Sequence, residues 1–445
     1  MQRTFLLLML TLLVAPLAAD SAEALSPSAT ASTMAALTPT TALGAAATLA
    51  DCYQAALKRS QTLAVSFEAI AQAEERYKQA MGSVLPSVSV IGQLFTQASP
   101  LGTVVPTNQN QYRFTANQPL FQGLREYAAL RQTQSLVKAS KQASTWAAWQ
   151  LYSDTALAFN SVLAQEKNLA DLQNELTLYG DRISFLQGWL NIGRAQDTDV
   201  LSIQSAQAQI KAQIEAAKYQ LASAREMLAF LTGLPVDQAL SDDQALPTAL
   251  EPLDGYIGAL DQRPDLLAAA ANVQAAHEGV GIASGQHLPV VNATADYYPY
   301  RYSSETDVNW DAYLTFSMPI FMGGVINSQT RAAESAQRQA EATLEQARRQ
   351  DLEALRSSYV KLTYDLSQES ALVDAQDLSQ KNYKAETRNF ERGLVTNLDV
   401  LQAMVTYVTT VQATDATHYA ALGDLQSLLA QTGRAPGLPA LNEEK

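Results

Sequence analysis

Two stretches of this 445-residue chain place carboxylates at matching positions: NIGRAQDTDVL at 191–201 and ERGLVTNLDVL at 391–401. In each, a glycine is followed by five variable positions and then Asp-Val-Leu, and Gly193 and Gly393 lie 393 − 193 = 200 residues apart. Glycine just past a helix accepts the left-handed conformation common there. Thr198 or Asp197 in the first copy, and Asn397 or Thr396 in the second, can cap the helix that follows. Asp199 and Asp399 then fall in a first turn, where the helix dipole favours a negative charge. A capping charge is one role that fits both.

Other chemistry has little to stand on. The three histidines, His277, His287 and His418, have no carboxylate or cysteine around them at metal-ligand spacing. There is no G-x-S-x-G, no phosphate loop and no dinucleotide fingerprint. No enzyme, metal site or cofactor is expected. The single Cys52 excludes a disulfide framework within the chain. The stretch LADC around it could mark a lipidated cysteine, but Asp51 precedes it, and it lies far from the apolar start of the chain. A packed helix cysteine is expected instead. A net charge of −14 argues against a nucleic-acid partner. It suits a lumen that carries cations, or an ordinary acidic surface.

The elements around the paired turns are themselves duplicated. Pro119, Phe121 and Gly123 recur as Pro319, Phe321 and Gly323, and Thr232-Gly233 recurs as Thr432-Gly433, all at the same offset. Leu85-Pro86 recurs as Leu288-Pro289 at a slightly longer one. The chain reads as a tandem repeat, 49–248 and 249–434, each a helix, hairpin, long helix, turn and helix. Leu169, Leu172, Leu176, Tyr179, Ile183, Leu186 and Leu190 alternate gaps of three and four, a coiled-coil seam, as do Leu352, Leu355, Tyr359, Leu362 and Leu366. No proline interrupts 124–191 or 324–392, so each long helix can reach roughly 100 Å. Helices of that length need partners throughout. The return helix from 199 to 231 covers only half, and 49–81 and 265–284 supply the rest, two short helices end to end beside each long one.

Between the helices the period changes to two. Trp310, Ala312, Leu314, Phe316, Met318 and Ile320 alternate with polar residues, as do Tyr112, Phe114 and Ala116, and Val291, Ala293, Ala295 and Tyr297. A weaker fourth strand lies near Val88, Val90 and Leu94. Tyr297, Tyr298, Tyr300 and Tyr302 crowd one strand end, like an aromatic girdle. Such strands suit a soluble sandwich or a membrane barrel. Four cannot close a barrel, and open edges in lipid cost several kcal/mol per unpaired group, so a barrel requires further copies. Two copies give eight strands filled by side chains; three give twelve and a channel.

The first residues, MQRTFLLLMLTLLVAPLAADSAEA, have a basic start, an apolar core from Phe5 to Val14, and small residues beyond it. This predicts an export signal over 1–24; a retained anchor is the alternative, though the core is short for a bilayer. Residues 25–48, rich in Ala, Thr, Ser and Pro, are expected to be disordered, and 435–445 to form a polar tail.

Gln262-Arg263-Pro264-Asp265-Leu266 opening a helix, the Pro-Leu-Phe-x-Gly and Pro-Ile-Phe-x-Gly strand ends, and the paired G-x5-D-V-L turns together resemble the outer membrane efflux protein family of TolC-like ducts. The resemblance implies an α+β membrane protein: a homotrimer with a twelve-strand β-barrel in the cell outer membrane, on a long α-helical coiled-coil tunnel in the periplasm. It implies an equatorial layer drawn from 234–262 and the C-terminal end. It implies a passive exit duct that meets an inner-membrane pump through a periplasmic adaptor protein, exporting drugs, metal ions, small toxic molecules or, in type I secretion, proteins. The two turns would be the periplasmic tips. Asp199, Asp399 and Thr198 would stand at the narrowest ring, where acidic groups in three copies would attract cations. Gln402 stands where relatives can carry a second aspartate, and Phe390 and Val395 where the best-known members have a bracing tyrosine and arginine. A closed tip would therefore depend more on apolar packing than on those hydrogen bonds. Gly193, Arg194, Gly393, Leu394 and Val395 are the implied adaptor contacts, or a plain turn. The competing expectation is a soluble periplasmic coiled-coil scaffold whose strands form a small sandwich.

Overall fold

The computed structural model describes residues 46–96, 108–301 and 308–438; the expected export signal and Tyr302 lie outside them. Helices α1 (Leu49–Arg59) and α2 (Gln61–Gly82) lead into strands β1 (Ser87–Thr96) and β2 (Asn108–Gln122). Helix α3 (Arg125–Asn191) turns at Gly193 into α4 (Asp197–Thr232). A short α5 (Leu253–Ile257) precedes α6 (Pro264–Ser284), strands β3 (Val290–Arg301) and β4 (Trp310–Ser317), α7 (Val325–Glu391) and α8 (Asn397–Gln431). Helices α3 and α7 each have 67 residues, roughly 100 Å at 1.5 Å per residue.

The expected single helix over 49–81 is broken. Ser60 is extended, and its Oγ accepts a hydrogen bond from the Leu63 N–H, so it ends α1 and caps α2. The end of the 25–48 segment is also ordered: Ala47 donates to the Ala239 carbonyl at 2.8 Å and accepts from the Ser241 N–H at 2.9 Å. Ala435 is buried, so the chain packs past the expected start of the tail at 435.

Helix α3 is gripped by α2, α4, α6 and α8, while α7 packs on α6 and α8. The seam residues do this work in sevens. Leu172, Tyr179 and Leu186 are fully buried, as are Leu355 and Leu362, and the residues between them pack partly buried against the same clusters. A further cluster centred on Phe159, Tyr152, Val162 and Tyr53 fastens α1, α4, α8 and the segment after α4 to the middle of α3. Cys52 is part of it, and burial pushes its thiol up to about 12.

The four strands form one antiparallel sheet in chain order, with β1 and β4 at its edges. Its register sets apolar residues opposite one another: Val90 faces Phe114, Phe114 faces Tyr297, Ala293 faces Leu314, and Val291 faces Phe316. Polar positions face polar ones on the other side, as with Thr115 and Asp296. The two shifts in the β2–β3 ladder fall beside Pro119 and Pro299, where proline has no N–H for a rung. Leu314 and Phe316 are 64% and 65% exposed, so one face of the sheet is apolar and uncovered in a single chain.

Candidate functional site: the paired helical tips

Both turns are built alike. Gly193 and Gly393 have φ of 72° and 75°, and a Cβ there would meet nothing within 4 Å, so the left-handed backbone alone requires glycine. Arg194 N–H donates to the Trp189 carbonyl and Gly193 N–H to the Leu190 carbonyl; Leu394 and Gly393 repeat the pattern with Asn389 and Phe390. This is the Schellman arrangement, which satisfies the last carbonyls of each long helix.

The caps that follow differ. Thr396, one of the two residues expected, caps α8, and Asp399 completes the box by accepting from the Thr396 N–H at 2.8 Å and hydroxyl at 2.6 Å. The Thr396 hydroxyl, then its N–H, hold the Asp399 carboxyl below its ordinary range. In the first copy neither Thr198 nor Asp197 caps. Gln196 occupies that position, and Asp199 accepts from its N–H at 3.2 Å. Glutamine is a weak cap by type, which left this position unread. Thr198 lies exposed in the first turn, and Gln402 is exposed one turn along α8.

The structure brings the two tips together through Phe390. Its ring stacks on Trp189 at 5.2 Å and lies near Phe185 at 6.3 Å. Arg182 then adds a polar tie that the sequence did not reveal. Its guanidinium carbon sits 4.3 Å from the Phe390 centroid, and its Nη2 and Nε donate to Asn397 Oδ1 at 2.9 and 3.2 Å. Both residues are buried. Burial lowers the Arg182 pKa, with Tyr383, Asp199 and Glu391 acting against it. A charged hydrogen bond thus spans the two hairpins within the chain, alongside the apolar packing of Phe390. Of the implied contact residues, Gly193, Arg194, Gly393 and Leu394 are exposed, whereas Val395 is half-buried against the cluster.

Arg182→Ala would remove two charge-assisted hydrogen bonds and a ring contact while leaving Asn397 Oδ1 buried. A loss of about 2–3 kcal/mol is expected in denaturant unfolding. Arg182→Lys should recover only part of it, because an ammonium lacks the planar fork.

Among the described residues, no three His, Cys, Asp or Glu side chains converge as metal ligands, and no helix is long and apolar enough to cross a membrane. A model of the family described as Outer membrane efflux protein matches residues 52–234 and 256–434, one segment in each repeat. Outer membrane protein TolC of Escherichia coli (strain K12) is 26% identical over 271 residues, 57% of this chain and 55% of that protein. Outer membrane efflux protein BepC of Brucella suis is 24% identical over 298 residues, 64% of each. The aligned stretches thus span between about half and two thirds of these relatives. Among solved structures, the outer-membrane channel OprN superposes with a TM-score of 0.77 at 18% identity, covering 87% of this chain and 90% of that one. The outer membrane protein VceC of Vibrio cholerae gives 0.77 at 19%, covering 87% and 96%. Likeness at that identity establishes a shared fold. With the family model matching both repeats over most of the chain, this protein belongs to the outer membrane efflux protein family.

Proposed function

We propose that the chain is one third of a passive exit duct: three copies close a twelve-strand barrel in the outer membrane, and their helices form a tunnel into the periplasm. The observation that carries this reading is the sheet. It has four strands, two unpaired edges and one uncovered apolar face, and it stands on helices of roughly 100 Å. Backbone groups on open edges require neighbours in lipid, and twelve strands leave room for passage where eight do not. A soluble scaffold would leave Leu314 and Phe316 facing water. The duct reading extends to the relatives' partners, a periplasmic adaptor meeting the exposed turn residues Gly193, Arg194, Gly393 and Leu394, and an inner-membrane pump behind it. Asp199 and Asp399 then ring the narrow end with Thr198, Gln402 and the Phe390 cluster beside them. The cargo, whether drug, metal ion or secreted protein, is set by the pump.

Purified protein in mild detergent should run as a trimer and give cation-preferring pores in planar bilayers. A monomer with no conductance would end the proposal. Asp399→Ala should raise conductance or weaken the preference for cations. If both stay unchanged, the aspartate serves only as a helix cap.

A further inference from the structure

Between the apolar cluster at the middle of α3 and the one near the tips, the α3–α8 contact turns polar. Asp171 of α3 is almost fully buried, its side chain 5% exposed, and lies against Asp415 of α8. Lys167 Nζ is 3.9 Å from Asp171 Oδ1 and 3.6 Å from Asp415 Oδ2. Asp171 Oδ2 has no hydrogen-bond partner although it is inaccessible to water. One turn further on, buried Glu175 accepts from Gln412 Nε2 at 3.2 Å. Two carboxylates beside one ammonium carry a net negative charge, the Asp171 share of it out of water, and the orphan oxygen marks where it is unrelieved.

We propose that Asp171 and Asp415 share one proton, and that this proton fastens α8 to α3 at a polar joint between the two apolar clusters. A proton placed on Asp171 Oδ2 donates to the Asp415 carboxylate, which satisfies the orphan atom and leaves the trio neutral. Without it, two negative charges repel across the interface beside a single lysine. The apolar clusters on either side hold firm, so the segment of α8 between Met404 and Asp415 loosens first.

The charged surroundings do not remove the need for that proton. On α3, Glu166 is paired with Arg225 of α4 at 2.8 Å, and Glu175 adds further negative charge. On α8, His418 meets Glu369 of α7 at 2.6 Å, and the Tyr419 hydroxyl donates to Asp242 of the segment after α4 at 2.7 Å. Among the described residues, Lys167 is left as the one cation contacting the pair. The opposite flank of α8 has a looser version of the same device: Lys361 of α7 lies 2.8 Å from Asp424, with Asp365 beside it. Both long helices thus present Lys-x3-Asp to an aspartate of α8, and Asp171, Asp415, Lys361 and Asp424 line one cavity of about 580 Å³.

Burial, then the contact with Asp415, pushes Asp171 up from 3.8 to about 7, against the pull of Lys167. The closed joint therefore holds a proton that the opened one releases, so its stability falls as pH rises from the ordinary carboxylate range to about 7 and levels off above. Hydrogen exchange of the 405–415 amides tests this in the full chain in mild detergent. The wild-type to Asp171→Asn exchange ratio should climb about tenfold between pH 5 and pH 6 and flatten above about pH 7. Asp415→Asn should remove the same dependence, and Asp374→Asn, at an exposed position of α7, should leave it intact. Burial also raises Asp351, to about 6, so the infrared readout is the wild-type minus variant difference: a carboxylic C=O band that titrates away near neutrality should appear in it for both pair variants. A ratio that stays flat from pH 5 to pH 8, or a wild-type minus Asp171→Asn spectrum without that band, overturns the proposal. Neither readout depends on whether the protein conducts.

Discussion

Leu314→Arg should stop the protein from accumulating in outer membranes, while Thr315→Arg, one residue on, should be tolerated. Leu314 pairs with Ala293 on the apolar face, and Thr315 pairs with Asn292 on the polar one. In the barrel we propose, the first face meets lipid and the second meets water. An arginine near the midplane of the lipid face costs about 2–4 kcal/mol in each copy, whereas a lumen-facing charge changes selectivity at little cost. Membrane fractionation with a heat-modifiability assay separates the outcomes. Equal behaviour of the two variants would mean that the sheet is not embedded, since adjacent residues differ only in the face they occupy.

Phe159→Ala should lower stability by about 3–5 kcal/mol, the usual cost of emptying an aromatic site in a packed core. Phe159 is fully buried at the centre of the cluster that joins α3 to Tyr53 and Leu63 of the first helices, Leu228 of α4 and Leu422 of α8. No single partner can collapse into the space, because each is anchored on a different helix. Thermal unfolding should show a large fall in midpoint, and Phe159→Leu should recover most of it. A small effect in the alanine variant would mean that the mid-height cluster is not what holds the bundle.

The regular elements were open to reading because their signals repeat. The seam from Leu169 to Leu190 states its own period, and the structure buries every seventh residue of it. Strand faces were readable for the same reason: Ala293 opposite Leu314 follows once both strands alternate. Single events were harder to read. The break at Ser60 had a signal, since Lys58 and Arg59 are basic residues in a last turn and serine is a good cap. Gln196 gave none. Arg182 sits beside Ile183, just off the seam, and its partner Asn397 is 215 residues distant, so only the fold reveals the pair. Asp171 was equally silent, as its meaning depends on an aspartate from another helix.

The two repeats are threaded through each other: α3 of the first half is covered by α6 and α8 of the second as well as by α1, α2 and α4 of its own. During synthesis that coverage arrives late. Between Asn191 and Gln431, the ends of α3 and α8, lie 431 − 191 = 240 residues, which a ribosome needs roughly 10–50 s to add. For that interval the nascent chain must leave the uncovered flank of its longest early helix exposed, a standing invitation to holdase chaperones and to proteases.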